Sequence, residues 1–149
     1  MNQNLRVRRM EAGDLLRAAA LEQSSFSQPW SEKLLAEGLN SPLDTYFVCT
    51  CENEIAGYCV LRVLADEGEL QRIAVFSEYR RQGVGRKLME AMLAAAREEG
   101  ASSVSLEVRE SNVGAMRLSE EYGFCQEAVR KNYYENPVEN ACIMWKHEL

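Results

Sequence analysis

The chain has 149 residues, of which 46% are apolar and 27% charged, the balance of one ordinary globular domain with a real core. It has no apolar run of about 18 residues to span a membrane, and the stretch from Met1 to Asp14 lacks the apolar segment of a secretory leader. A net charge of −6 argues against general nucleic-acid binding and suits a cationic substrate.

Leu5 to Arg9 reads as a first strand, with Leu5, Val7 and Arg9 alternating against Arg6 and Arg8. Asp14 is expected to cap a helix carrying Leu15, Ala18, Ala19 and Glu22 at helical spacing. Ser27-Gln28-Pro29-Trp30 breaks that helix, and Ser31 with Glu32 starts another that runs to about Leu39. Thr45–Cys51 and Ile55–Leu64 are strands rich in β-formers around the turn Glu52-Asn53-Glu54. Ala65-Asp66-Glu67-Gly68 is expected as a loop before a strand carrying Leu70, Ile73 and Val75. A basic loop then leads into a helix with Val84, Leu88, Ala91, Met92 and Ala95 on one side, closed by Gly100. Ser102–Val108 reads as a strand and Asn112–Glu121 as a helix; Cys125–Tyr134 and Asn140–His147 read as two last strands around Asn136-Pro137. Nothing marks a linker or repeat, so residues 1–149 are expected to form a single domain, an α/β (α+β) sandwich around a mixed sheet.

The basic loop Arg80-Arg81-Gln82-Gly83-Val84-Gly85, followed by Arg86 and Lys87, stands between a strand and a helix. Glycine lets a ligand approach the backbone closely, and the first amides of a helix have no intrahelical partner and carry the positive end of its dipole. The combination fits an anion, most simply a phosphate. A dinucleotide fingerprint needs a third glycine where Leu88 stands, and the Lys-Ser/Thr of a P-loop is absent.

In Ser103 to Val108, the apolar Val104, Leu106 and Val108 alternate with Ser103, Ser105 and Glu107. A strand between two βα units is expected to be covered on both faces, where a carboxylate needs a reason. Glu107 is either an ion-paired surface residue or a general base at the C-terminal end of a strand, where α/β sheets place ligands. Acyl transfer to an amine needs such a base, because an N-terminal amine with a pKa near 8 is largely protonated at neutral pH. Apolar surroundings raise a carboxylate's pKa toward working pH. Asp66, Glu67 and Glu69 read as a solvated acidic turn, with Glu69 a competing base. The five cysteines, Cys49, Cys51, Cys59, Cys125 and Cys142, form no CxxC pair, and the one histidine is His147. No metal site is expected, and most of the cysteines read as small hydrophobes of a reduced, cytoplasmic protein.

The loop Arg80 to Gly85 resembles the Arg/Gln-x-x-Gly-x-Gly/Ala loop of the GNAT superfamily of acetyl-CoA-dependent N-acetyltransferases. With it stand Pro29-Trp30-Ser31-Glu32, Ile73-Ala74-Val75, Leu106-Glu107-Val108-Arg109, Ser111-Asn112, Tyr122-Gly123-Phe124 and Arg130-Lys131-Asn132-Tyr133-Tyr134. Together, from about Leu5 to Trp145, they resemble the RimI branch, the ribosomal-protein alanine N-acetyltransferases. The resemblance implies the GNAT fold, a mixed central sheet flanked by about four helices. It also implies acetyl-CoA as co-substrate and a protein N-terminus, that of a ribosomal protein, as acceptor. No nucleic-acid or membrane partner is expected, and a monomer or weak dimer is. By the same resemblance, Ile73, Ala74 and Val75 would hold the acetyl-pantetheine arm through backbone groups. Arg80, Arg81, Gln82, Gly83, Val84, Gly85 and Arg86 would hold the pyrophosphate, Asn112 would contact CoA, and Glu107 would be the base. Asn112 also reads as a plain helix cap.

The family helix carries a tyrosine that protonates the departing thiolate, and here Ser119 occupies its place. A serine hydroxyl is a far poorer acid than a phenol (pKa about 10), so slowed turnover is expected rather than none. Tyr122, Tyr133 and Tyr134 are weaker candidates for the acid. With Trp30, the last two are candidates to line a peptide groove. Two other readings stay open: acetylation of a small amine, and a CoA-binding partner protein with weakened catalysis.

Overall fold

β-Branched and aromatic residues build one sheet, and the helical stripes cover it from both sides. The computed structural model describes residues 4–149. In chain order the elements are β1 (Leu5–Arg9), α1 (Leu15–Ser25), α2 (Glu32–Leu39), β2 (Asp44–Cys51), β3 (Glu54–Leu64) and β4 (Glu67–Val75), then α3 (Val84–Glu98), β5 (Ser103–Arg109), α4 (Val113–Glu121), β6 (Cys125–Tyr134) and β7 (Glu139–His147). The strands lie in the order β1-β2-β3-β4-β5-β7-β6. Every neighbouring pair is antiparallel except β4 with β5. This is the expected α+β arrangement, a mixed sheet with four α-helices among the described residues.

The two faces have separate cores. On one, α3 lays Val84, Leu88, Met89, Met92 and Ala96 against Cys49, Cys59, Leu61, Val104, Leu106 and Met144, and α4 packs beside it through Ala115 and Leu118. The α3 stripe is wider than its sequence spacing suggests, taking in Met89 and Leu93. On the other face, Ala18 and Leu21 of α1 and Leu35 of α2 pack on Tyr46, Val48, Tyr58, Val60 and Ala74. The buried valine, leucine and methionine side chains among these contribute about 1.5–3 kcal/mol each, which is what fixes both helix layers to the sheet.

Three expectations need correction. Asp14 precedes α1 but makes no capping bond along it. Its carboxylate turns back to accept from the Glu11 N–H at 2.8 Å and from Arg8 at 2.8 and 3.0 Å, because an arginine fork outcompetes a single amide. Glu67 and Gly68 belong to β4, not to a loop: parallel pairing with Ser103 and Val104 of β5 recruits them, leaving Ala65-Asp66 as the turn. With them Glu69 becomes a strand residue, exposed and in register with Ser105, rather than part of an acidic turn. The third correction concerns β5, which is covered on one face only. Val104, Leu106 and Val108 are buried, whereas Ser103, Ser105 and Glu107 are partly open to solvent, since α1 and α2 cover β2, β3 and the far half of β4.

Candidate active site

The sheet opens in its middle. The parallel ladder between β4 and β5 runs from Glu67↔Ser103 to Leu70↔Leu106 and ends there. On its other edge β4 continues to pair with β3 as far as Gly57↔Val75, and β5 pairs with β7 as far as Arg109↔Ala141. The cause is local. Leu61 pairs with Leu70 and Val60 with Arg72, so Gln71 is an extra residue in β4. Such a bulge bends its strand and strengthens the twist, and bulges recur beside active sites. Past it, the Phe76 N–H bonds to Ala56 across β3 at 2.8 Å. By strand alternation Ala74 faces β3 as well, and the backbone groups of Ile73 and Val75 face the opening.

The basic loop lies at the far end of β4. Gly83 caps α3 at φ +93°, a left-handed conformation that a side chain would strain. The first intrahelical bond is from the Lys87 N–H to the Gly83 carbonyl at 3.0 Å, so the amides of Val84, Gly85 and Arg86 precede the ladder. Gly85 serves packing: a Cβ there would stand 3.0 Å from the Leu118 side chain of α4. The four cations of the loop are not equivalent. All four are exposed, but Arg80 donates to the Val75 carbonyl at 3.3 Å and Arg86 pairs with Glu121 at 3.0 Å. A backbone cradle at a helix N-terminus, with cations around it, fits a pyrophosphate.

Glu107 is the first β5 residue beyond the last rung. Its side chain is 24% exposed and pairs with Arg130 at 3.3 Å. It faces the side of the sheet away from α3 and α4, towards Tyr133 and Tyr134 of β6. Burial, and then the charge of Glu107, holds both phenols above their usual pKa, that of Tyr134 at about 12. The two rings meet edge to face at 5.1 Å.

Asn112, Ser119 and Tyr122 lie on the α3–α4 side, whereas Trp30 packs with α1 and α2 on the opposite face. Asn112 caps α4, accepting from the Ala115 N–H at 3.1 Å. Ser119 is buried, and its hydroxyl donates to the Ala115 carbonyl one turn back at 2.8 Å. Tyr122 donates to Glu90 of α3 at 2.8 Å. Burial, and then that bond, pushes its pKa up to about 12, which makes it a weaker acid than a free phenol.

Three functional candidates escaped the sequence reading. Glu22 of α1 is fully buried and accepts from the Tyr58 hydroxyl, from the Trp30 N–H at 2.7 Å and from Arg72 at 3.1 Å. Arg72 follows the bulge, and Arg109 ends β5. The signal for Glu22 was available: a carboxylate in the apolar stripe of a helix implies a buried partner.

A mixed sheet parted between two parallel strands, with an amide cradle on one side of the gap and a carboxylate on the other, defines an acetyl-CoA-dependent acyltransferase. The chain belongs to the acetyltransferase (GNAT) family, whose model matches residues 15–124. It is 37% identical over 125 residues to the [ribosomal protein bS18]-alanine N-acetyltransferase of Escherichia coli (strain K12), covering 84% of each chain. It is 36% identical over 140 residues, 93% of each chain, to a Bacillus subtilis (strain 168) relative. The crystal structure of the ribosomal-protein-S18-alanine N-acetyltransferase from Escherichia coli superposes with a TM-score of 0.87 at 34% identity, covering 97% of this chain and 94% of that one.

Proposed function

We propose that this enzyme acetylates the N-terminal α-amine of a protein, the acceptor being the N-terminal alanine of a small-subunit ribosomal protein. The observation that carries the reading is the place of Glu107, half-buried at the first position where β5 leaves β4. The relative from Escherichia coli, named for the alanine of bS18, supports the acceptor class.

The chemistry divides between the two sides of the sheet. Glu107 takes a proton from the acceptor's ammonium, whose pKa lies near 8, and frees the lone pair. Acetyl-CoA supplies the activated acyl carbon, where a C–N bond forms as the C–S bond breaks. The open-edge backbone of β4 at Ile73 and Val75, with Ala74 between them, holds the pantetheine arm. The amides of Gly83, Val84, Gly85 and Arg86 hold the pyrophosphate, with Arg80, Arg81 and Gln82 around them. Asn112 contacts CoA while capping α4. Ser119, with its hydroxyl donated to Ala115, gives the departing thiolate little acid assistance, so turnover is slow. The protein works as a monomer or weak dimer in the cytoplasm with no nucleic-acid or membrane partner. Its net charge of −6 supports the absence of a nucleic-acid partner.

The test is incubation with acetyl-CoA and peptides of free N-terminus, followed by mass-spectrometric location of the acetyl group. Acetyl on the α-amine of Ala-first peptides is the expected result. Acetylation of lysine side chains or small amines alone would overturn the acceptor class.

A further inference from the structure

The segment Phe26–Trp30 between α1 and α2 is gripped almost residue by residue by two arginines on opposite sides of the opening. Arg72 of β4 lies over the Phe26 ring at 4.0 Å and the Trp30 ring at 4.4 Å, and donates to the Gln28 carbonyl at 3.1 Å. Arg109 of β5 donates to the Ser27 hydroxyl at 2.9 Å. It also donates to the Glu135 and Pro137 carbonyls at 2.9 Å and to Glu139 at 3.2 Å, and lies over Tyr134 at 4.5 Å. Ser27 in turn donates to the Glu135 carbonyl at 2.8 Å. Behind the segment, the buried carboxylate of Glu22 anchors the Trp30 amide and Arg72.

β4 and β5 have parted at these positions, so the segment tied to both is a strap across the gap. We propose that Arg72 and Arg109 are positioning residues that hold residues 26–30 as this strap. The strap then fixes where the acceptor's terminal amine stands relative to Glu107. This rests on the acetyl-transfer reading above. The side-chain chemistry is specific to arginine: a flat guanidinium can stack on two rings and still donate in plane, which a lysine ammonium cannot. The desolvated Glu22 charge is tolerated because three donors meet it, and that ties the strap's register to α1. A misplacement of about 1 Å at the reacting atoms costs on the order of a hundredfold in rate, so a slack strap is read directly in acceptor kinetics.

The experiment compares Arg72→Lys, Arg109→Lys and the double variant, each keeping its charge so that Glu22 is not stranded. Hydrogen exchange of residues 24–34, with the Trp30 amide as direct reporter, is measured beside the KM values for an Ala-first peptide and for acetyl-CoA. Each single change should speed exchange about tenfold and, through a lower kcat and a higher peptide KM, reduce kcat/KM for the peptide at least tenfold, with the acetyl-CoA KM within about twofold. The double variant should be little worse than the more severe single, because one strap is being released. Unchanged exchange, parallel shifts in both KM values, or effects that multiply in the double variant would each overturn the proposal. If the unmodified enzyme acetylates no N-terminal peptide, the acceptor role falls with the acetyl-transfer reading, and exchange alone decides whether both arginines hold the strap.

Discussion

Leu70 of β4 and Leu106 of β5 form the last rung of the parallel ladder between these strands. The next residue on β4 is the bulged Gln71, and the next on β5 is Glu107. The device that parts the strands therefore also delivers the carboxylate to the gap, half-buried and free of the backbone crowding of a continuous sheet. On the acetyl-transfer reading proposed above, one inserted residue in β4 places the base, and the loop before α3 places the donor.

Replacing Glu107 with Gln keeps the shape and removes the proposed base. The expected loss in kcat is about 10²–10⁴-fold, with acetyl-CoA affinity unchanged, because the cradle lies on the other side of the gap. Steady-state kinetics with Ala-first peptides and direct titration of CoA check both halves. A variant that keeps its full rate would remove Glu107 from the chemistry.

Gly83→Ala places a side chain at φ +93°. That conformation costs about 1–2 kcal/mol outside glycine. The loop relieves the strain only by moving the amides of Val84, Gly85 and Arg86. The expected result is a raised KM for acetyl-CoA and a lowered melting temperature, with the peptide KM little affected. Thermal unfolding with and without CoA separates the two effects: the stabilisation that CoA gives should shrink along with the affinity.

Much of the fold is legible in the residues. Alternation marks β1 and β5, runs of β-formers mark β2 and β3, Ser31 marks the start of α2, and its hydroxyl does accept from the Leu34 N–H at 3.1 Å. The glycines of the basic loop announce a βα turn, and Gly83 takes the positive φ such a turn needs. The opening beside Glu107 leaves no such trace, because a bulge at Gln71 is a register shift between two strands and glutamine has no preference for it. Asp14 misled because its competing partner, Arg8, meets it only once β1 and the following turn have folded. Arg72 and Arg109 were invisible for a related reason. Their hydrogen-bond partners lie 26 to 82 residues away in sequence, and only the topology brings them together.

Ser119→Ala should change little. The hydroxyl is buried and already donated to the Ala115 carbonyl, a back-bond that adds little to helix stability. A fall in kcat of less than about tenfold is expected, against the 10²–10⁴ range of a working general acid. Single-turnover acetylation measures it without interference from product release. A loss of two orders of magnitude would show instead that the hydroxyl turns toward the thiolate during the reaction.

Tyr58→Phe removes one of the donors to the buried Glu22 carboxylate and leaves the ring in place. Leaving that charge with one donor fewer costs about 1–3 kcal/mol, read as a lowered denaturant midpoint with unchanged slope. Because Glu22 also holds the Trp30 amide at 2.7 Å, faster exchange at Trp30 should accompany the loss of stability. Loss of stability without that change would separate Glu22 from the strap.

Asp14 sets an acid limit on stability. The hydrogen bond from Arg8 lowers its pKa below the ordinary 3.8, against the opposing effect of burial, and the bond from the Glu11 amide lowers it further. With the folded pKa depressed, the unfolded chain binds the proton more tightly. The contribution is therefore complete above the unfolded pKa and is lost as pH falls through the folded one. Asp14→Asn should be destabilised by a constant amount above about pH 5, and that difference should narrow towards zero as the pH drops below the ordinary carboxylate range. Denaturant unfolding of both proteins between neutral pH and strong acid gives the two curves. Curves that stay parallel down to strong acid would show that the Arg8–Asp14 pair, with its arginine side chain 43% exposed, adds nothing to folding.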